Sequence, residues 1–138
     1  MKALVDTCVW SLMLRRRNPD QINPAERRIV SELKEAIQER RAAIIGPVRQ
    51  EILSGIRDGA VFAFTAGLLE PFRDVEILPG DFVEAARLFN LCRNHGVQSG
   101  PVDILLCAVA ARNHYAILTI DHGLERCVEV LRMEGIMA

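Results

Sequence analysis

The chain alternates between short, nearly continuous apolar runs and longer stretches whose apolar positions recur at helical spacing. Ala3-Leu4-Val5, Ala42-Ala43-Ile44-Ile45, Val75-Glu76-Ile77-Leu78 and Ala116-Ile117-Leu118-Thr119 are runs of the first kind. Each is the length of a buried strand rather than of a helix. The helical stretches begin and end on recognisable residues. Cys8 to Arg16 follow the first strand directly. Asn23-Pro24-Ala25-Glu26 offers an N-cap, a proline at the first helical position and a Glu at the third. Ile29, Val30, Leu33 and Ile37 then repeat at helical spacing. Gly46-Pro47 stops the second strand, Val48 to Ser54 read as helix with Glu51 in its first turn, and Gly55 suits its C-terminal cap. Ala60 to Leu69 form the next helix, before Pro71.

Asp81-x-x-Glu84 reads as a capping box opening a helix from Phe82 to Asn94, ended by Gly96. Ser99-Gly100-Pro101 opens another, in which Ile104 to Ala111 are all apolar or cysteine. A helix apolar on nearly all sides is buried on nearly all sides. A last helix runs from about Gly123 to Met133, and Gly135-Ile136-Met137 suits a short edge strand. Strands and helices in alternation predict an α/β fold with a parallel sheet covered on both faces. At 138 residues the expectation is one domain over 1–138.

Composition changes this picture little. Half the residues are hydrophobic and a quarter charged, the balance of a soluble globular protein. No apolar run approaches the roughly 18 residues that span a bilayer, and the apolar start before Asp6 is too short for a secretory signal. A cytosolic protein without membrane contact is expected. Cys8, Cys92, Cys107 and Cys127 form no C-x-x-C pair and read as reduced, core-filling thiols. His95, His114 and His122 lack zinc-ligand spacing.

Charge is unevenly distributed. Residues 1–60 carry 11 basic and 8 acidic side chains, whereas residues 61–138 carry 6 and 10. Fifteen of the 17 basic residues are Arg, whose planar fork pairs bidentately with phosphate or carboxylate. Arg27-Arg28 and Arg40-Arg41 read as solvated helix faces. Arg15, Arg16 and Arg17 lie near Asp6 in sequence and suit phosphate as well as they suit solvent.

The chemistry lies in four acids, Asp6, Glu51, Asp103 and Asp121. Asp6 and Asp121 directly follow the first and last strands, at the carboxyl edge of the sheet where doubly wound folds bind ligands. Glu51 and Asp103 lie near the N-termini of helices that face the same edge. Each alone could be a helix-capping or dipole-favoured residue. Four converging carboxylates repel one another by about 4 kcal/mol per pair at 4 Å with an effective dielectric near 20. A hard divalent cation, Mg²⁺ or Mn²⁺, removes that penalty.

Four segments together resemble the PIN-domain ribonucleases, and specifically the VapC-like toxins of type II toxin–antitoxin pairs. They are Leu4-Val5-Asp6-Thr7, Glu51 after its Gly-Pro turn, Gly100-Pro101-Val102-Asp103 with the apolar run behind it, and Leu118-Thr119-Ile120-Asp121. The resemblance implies a three-layer α/β/α fold with a mostly parallel sheet of four to five strands, and Mg²⁺- or Mn²⁺-dependent endoribonuclease activity. It implies Asp6 and Asp103 as principal metal ligands, Glu51 and Asp121 completing the acidic cluster, and hydroxyl support from Thr7 and Thr119. It also implies a homodimer, an RNA substrate, and a small VapB-like antitoxin that fills the groove and alone contacts operator DNA. The segment His122-Gly123-Leu124-Glu125 departs from the family's frequent Arg and Phe after the last acid.

The expected reaction is hydrolysis by metal-activated water, leaving 5′-phosphate and 3′-hydroxyl ends. A catalytically silent RNA- or partner-binding module is the alternative. An aspartyl-phosphate enzyme with Asp6 as nucleophile fits worse, because Cys8 stands where a second Asp is wanted and the only lysines are Lys2 and Lys34. Among the larger apolar residues, Trp10, Leu12 and Met13 read as core. Phe62 and Phe64, on a helix poor in charge, read as interface.

Overall fold

The computed structural model describes residues 1–15 and 19–138. Among them, β1 (Ala3–Val5), β2 (Ala42–Ala43) and β3 (Ala116–Leu118) form a parallel sheet in the order β2-β1-β3. Leu4 pairs with Ala43 on one side and with Ile117 on the other. A single parallel bridge, Ile44 to Asp74, adds one further position outside β2. The chain therefore steps outward from β1 to β2 to Asp74 and then crosses back over β1 to β3.

That path divides the helices into two groups. Before the crossing come α1 (Thr7–Leu14), α2 (Pro24–Gln38), α3 (Gly46–Ser54) and α4 (Gly59–Leu69). α1 packs on α2 and on α3, and α3 on α4. From the crossing onward come α5 (Pro79–Asn94), α6 (Pro101–Asn113) and α7 (His122–Met133), which pack on one another. Right-handed crossovers in opposite directions put such groups on opposite faces of a sheet. The direction reverses between β1 and β3, so the topological switch point lies beyond their carboxyl ends.

Local chemistry accounts for the elements. Asn23 caps α2 reciprocally with Glu26, its side chain accepting from Glu26 N at 2.8 Å. Ile29, Leu33 and Ala36 on α2 are buried. α6 buries every residue from Ile104 to Ala110 and packs on β1 and β3, each large side chain contributing about 2 kcal/mol of burial. Trp10 is fully buried, edge-on to Phe72 with ring centroids 5.0 Å apart. The four cysteines are free thiols, three of them buried.

Several expectations are corrected. The sheet has three strands among the described residues, not four to five. Val75 to Leu78 do not pair as a strand: after the bridge at Asp74, the carbonyl of Glu76 is taken by the Arg112 guanidinium at 2.7 Å, and Pro79 opens α5 at once. The Ile136-Met137 edge strand is absent because Gly135, at φ +73, turns the chain back. The amides of Ile136 and Met137 then donate to the Leu131 carbonyl and close α7. The capping box at Asp81 is also displaced. Leu78 is the N-cap, and Asp81, two residues into α5, accepts from Leu78 N at 2.8 Å. Glu84 pairs with Arg87 instead. Helix α3 starts at Gly46, so Glu51 falls in its second turn rather than its first.

Asp81 also anchors the far face. Its carboxylate is buried and forks onto Arg112 of α6, with contacts of 2.7 and 2.9 Å. This hydrogen-bonded cation holds the Asp81 carboxyl below the usual carboxylate range against the opposing effect of burial. A depressed folded-state pKa stabilises the fold fully above the ordinary carboxylate pKa and is lost as pH falls through the folded value. Arg112→Met should cost about 3 kcal/mol at neutral pH by stranding a buried charge. Asp81→Asn should cost less, because it removes that charge. The deficit of Arg112→Met against wild type should shrink as pH drops from 7 toward 3, read by denaturant unfolding at each pH.

Candidate functional site

Asp6 ends β1 and begins α1. Its N–H continues the ladder by donating to the Leu118 carbonyl at 3.0 Å, and its own carbonyl accepts from Val9 and Trp10 as the N-cap of α1. Its side chain is thereby fixed at the switch point, with the residue only 5% exposed. Three donors meet this buried carboxylate. Thr7 N donates to Oδ1 at 2.8 Å, while the Thr119 hydroxyl at 2.8 Å and the Cys8 thiol at 3.2 Å both donate to Oδ2.

Thr119 links two of the acids. Its Oγ1 donates to Asp6 and accepts from the Asp121 N–H at 3.0 Å. Asp121 caps α7, with Oδ1 accepting from Leu124 N at 2.8 Å. Gly123 makes room for that carboxylate, since a Cβ there would stand 3.2 Å from Asp121 Oδ1. The glycine in the departing segment thus has a local reason. His122 beside it is solvent-facing and leans toward Glu125 at 3.3 Å.

Asp103 is in the first turn of α6 and half-buried, with Ser99 Oγ donating to Oδ2 at 3.2 Å. Its carboxyl is held above the ordinary carboxylate range, first by burial and then by the charge of Asp6. The Ser99 hydrogen bond opposes this rise, and the charges of Asp121 and Glu51 add to it. All three other acids are therefore near enough to act on Asp103. Glu51 is exposed and is the most peripheral of the four, on α3.

Glu51 opens onto a groove of about 860 Å³ between α1, α3 and α4. Its walls include Leu14, Ile52, Ile56, Val61 and Phe64, and Thr7 and Arg15 also line it. Arg15 is exposed at the C-terminal cap of α1, so one of the three expected phosphate-binding arginines shares a groove with Glu51. Arg16 and Arg17 lie outside the described residues.

Of the two expected supporting hydroxyls, Thr119 holds the carboxylate directly. Thr7 does so through its backbone N–H, and its own Oγ1 is buried without a hydrogen-bond partner among the described residues. Two participants were missed in the sequence. Cys8 packs against the core as expected but also donates to Asp6: burial first, with the adjoining Asp6 charge, pushes its thiol up to about 11, so it stays protonated and able to donate. Ser99 read only as part of a helix start. For Cys8 a signal existed, because a residue two past an N-cap acid lies within the helix turn that the acid caps.

Among the described residues no three Asp, Glu, His or Cys side chains make a ready cation cage. An all-oxygen set with two inner carboxylates instead matches a hydrated hard cation, which Mg²⁺ exemplifies by retaining several waters and binding through one or two carboxylates. In that sense the residues fit the ion.

No curated protein matches the chain. A family model described as PIN domain matches residues 3–129. The match takes in all four acids, the parallel strands β1 and β3 that precede two of them, and the helices α3 and α6 that carry the other two. PIN domains are generally metal-dependent nucleases, and on this match the chain belongs to the PIN domain family.

Proposed function

We propose that the protein is a Mg²⁺- or Mn²⁺-dependent endoribonuclease that acts in the cytoplasm as the toxin of a toxin–antitoxin pair. One observation carries the proposal: a half-buried Asp103, at the switch point of a PIN domain, whose carboxyl is raised first by burial and then by the charges of Asp6, Asp121 and Glu51. Such repulsion lowers stability unless the site has a use for a cation.

In this reading Asp6 and Asp103 hold the ion, which supplies charge neutralisation at the phosphate and an acidified water at neutral pH. The donors on Asp6 fix its carboxylate in orientation. Asp121 is held by the Thr119 hydroxyl and the start of α7, and it orients the attacking water. Glu51, at the mouth of the groove, would complete the acidic shell or help orient the water. Arg15 binds a flanking phosphate. Water is the nucleophile, so the products carry 5′-phosphate and 3′-hydroxyl ends.

The groove beside Glu51 combines apolar walls with Arg15 at its side, which supports occupation by an apolar segment of a small antitoxin. Operator DNA is reached only through that partner. Phe62 and Leu68 on the charge-free α4 are 42% and 44% exposed, which supports pairing of two protomers across this helix. A catalytically silent binding module draws its support from the lack of a ready cation cage among the described residues.

Incubation with structured and single-stranded RNA in Mn²⁺ should give 5′-phosphorylated fragments. Asp6→Asn or Asp103→Asn should lower the rate at least about a hundredfold, as for loss of a group stabilising transition-state charge. Excess chelator should stop cleavage. Persistent cleavage in chelator, or fragments ending in cyclic phosphate, would sink the metal mechanism, and a protein that binds RNA but never cuts it would favour the silent module. Sedimentation velocity should report a dimer for the wild type and a monomer for the Phe62→Asp, Leu68→Asp double variant.

A further inference from the structure

The acceptor positions of Asp6 are unequally used. Each carboxylate oxygen offers about two. Oδ2 accepts from both the Thr119 hydroxyl, at 2.8 Å, and the Cys8 thiol, at 3.2 Å. Among the described residues, Oδ1 accepts from Thr7 N alone, at 2.8 Å. Oδ2 is thus fully occupied by the protein and Oδ1 retains one position. The residue is buried, so rearranged water does not readily replace a lost donor. The carboxylate is also fixed along its length by backbone bonds on both sides, to Leu118 and into α1.

We infer that Cys8 and Thr119 determine which cation the site accepts, by closing Oδ2 and making Asp6 a one-oxygen ligand through Oδ1. This rests on the cation-binding reading above. Large and small divalent ions differ in what they ask of a carboxylate. Ca²⁺ takes six to eight oxygens in flexible geometry and commonly draws both oxygens of one carboxylate. Mg²⁺ demands near-octahedral geometry, which the narrow bite of a two-oxygen carboxylate does not meet, and it keeps several waters. A closed Oδ2 therefore costs Ca²⁺ a ligand atom and costs the smaller ion nothing.

The two donors differ in what else they do. Thr119 Oγ1 also holds the Asp121 N–H, so its removal disturbs two acids. The Cys8 thiol has its strongest contact with Asp6 Oδ2, beside a looser approach of 3.7 Å to Thr119 Oγ1. Cys8 is thus a positioning residue that can be altered with the cross-strand link left in place.

The test is calorimetric titration of the whole chain with Mn²⁺ and, separately, with Ca²⁺, reading the ratio of the two dissociation constants. Cys8→Ala should move the ratio toward Ca²⁺ by about fivefold, the scale of one net hydrogen bond. Thr119→Val, similar in shape but lacking the hydroxyl, should move it the same way. Cys8→Ser retains a donor on the same carbon and should match the wild type. An unchanged ratio in both Cys8→Ala and Thr119→Val overturns the inference, as does a Cys8→Ser shift equal to that of Cys8→Ala. Wild-type protein that gives no heat with Mn²⁺ overturns the cation-binding reading itself. Mn²⁺ heat with an unmoved ratio overturns this inference alone.

Discussion

Mutual repulsion among carboxylates is the constraint to which the carboxyl edge of this sheet is built. The chain leaves β1 in one direction and reaches β3 from the other, so the segments after the two strands diverge and open a crevice. Asp6 and Asp121 stand on its two sides, α6 begins beside it with Asp103 in its first turn, and α3 brings Glu51 to its mouth. Burial first, and then these neighbouring charges, raise the carboxyl of Asp103. Asp6 and Asp121 also cap α1 and α7, but the apolar core of α6 and the sheet makes no use of the four charges.

Two buried aspartates in one fold show how differently a carboxylate can be treated. Asp81 is neutralised by a forked Arg112 and closes the start of α5, an arrangement that uses both oxygens and leaves nothing for a ligand. Among the described residues Asp6 receives only neutral donors, which fix its orientation without pairing it with a cation. Opposite shifts accompany the two kinds of site, downward at Asp81 and upward at Asp103 beside Asp6. The first pattern belongs to structure. The second is the pattern on which the proposed cation site rests.

Much of this was legible from residue order. Unbroken apolar runs located β1 and β3, and the Asn23-Pro24-Glu26 signature located the start of α2, because capping chemistry is local. Burial of α6 followed from its lack of a polar face. The acids were legible because three of them follow a strand or open a helix and Glu51 lies one turn into another, positions that topology carries to one edge. Failures came where a distant residue intervened. Val75 to Leu78 have the composition of a strand, but Arg112, 36 positions on, takes the Glu76 carbonyl that a neighbouring strand would need. Leu78 serves as N-cap of α5 because Asp81, at its third position, reaches back to the Leu78 amide, which the spacing to Glu84 obscured. Cys8 looked only like filler because thiols usually are, although the acid two residues before it takes its hydrogen bond.

The central claim is that the four acids are tolerated for the sake of a cation, and stability measures it most directly. Thermal unfolding of wild type and Asp103→Asn would be compared in chelator and across a Mn²⁺ titration. Relief of repulsion should make Asp103→Asn the more stable protein in chelator. Added Mn²⁺ should raise the wild-type midpoint saturably, as any ligand specific to the folded state does, and leave the variant unmoved. A variant no more stable than wild type in chelator, together with midpoints that respond equally to Mn²⁺, would contradict the account.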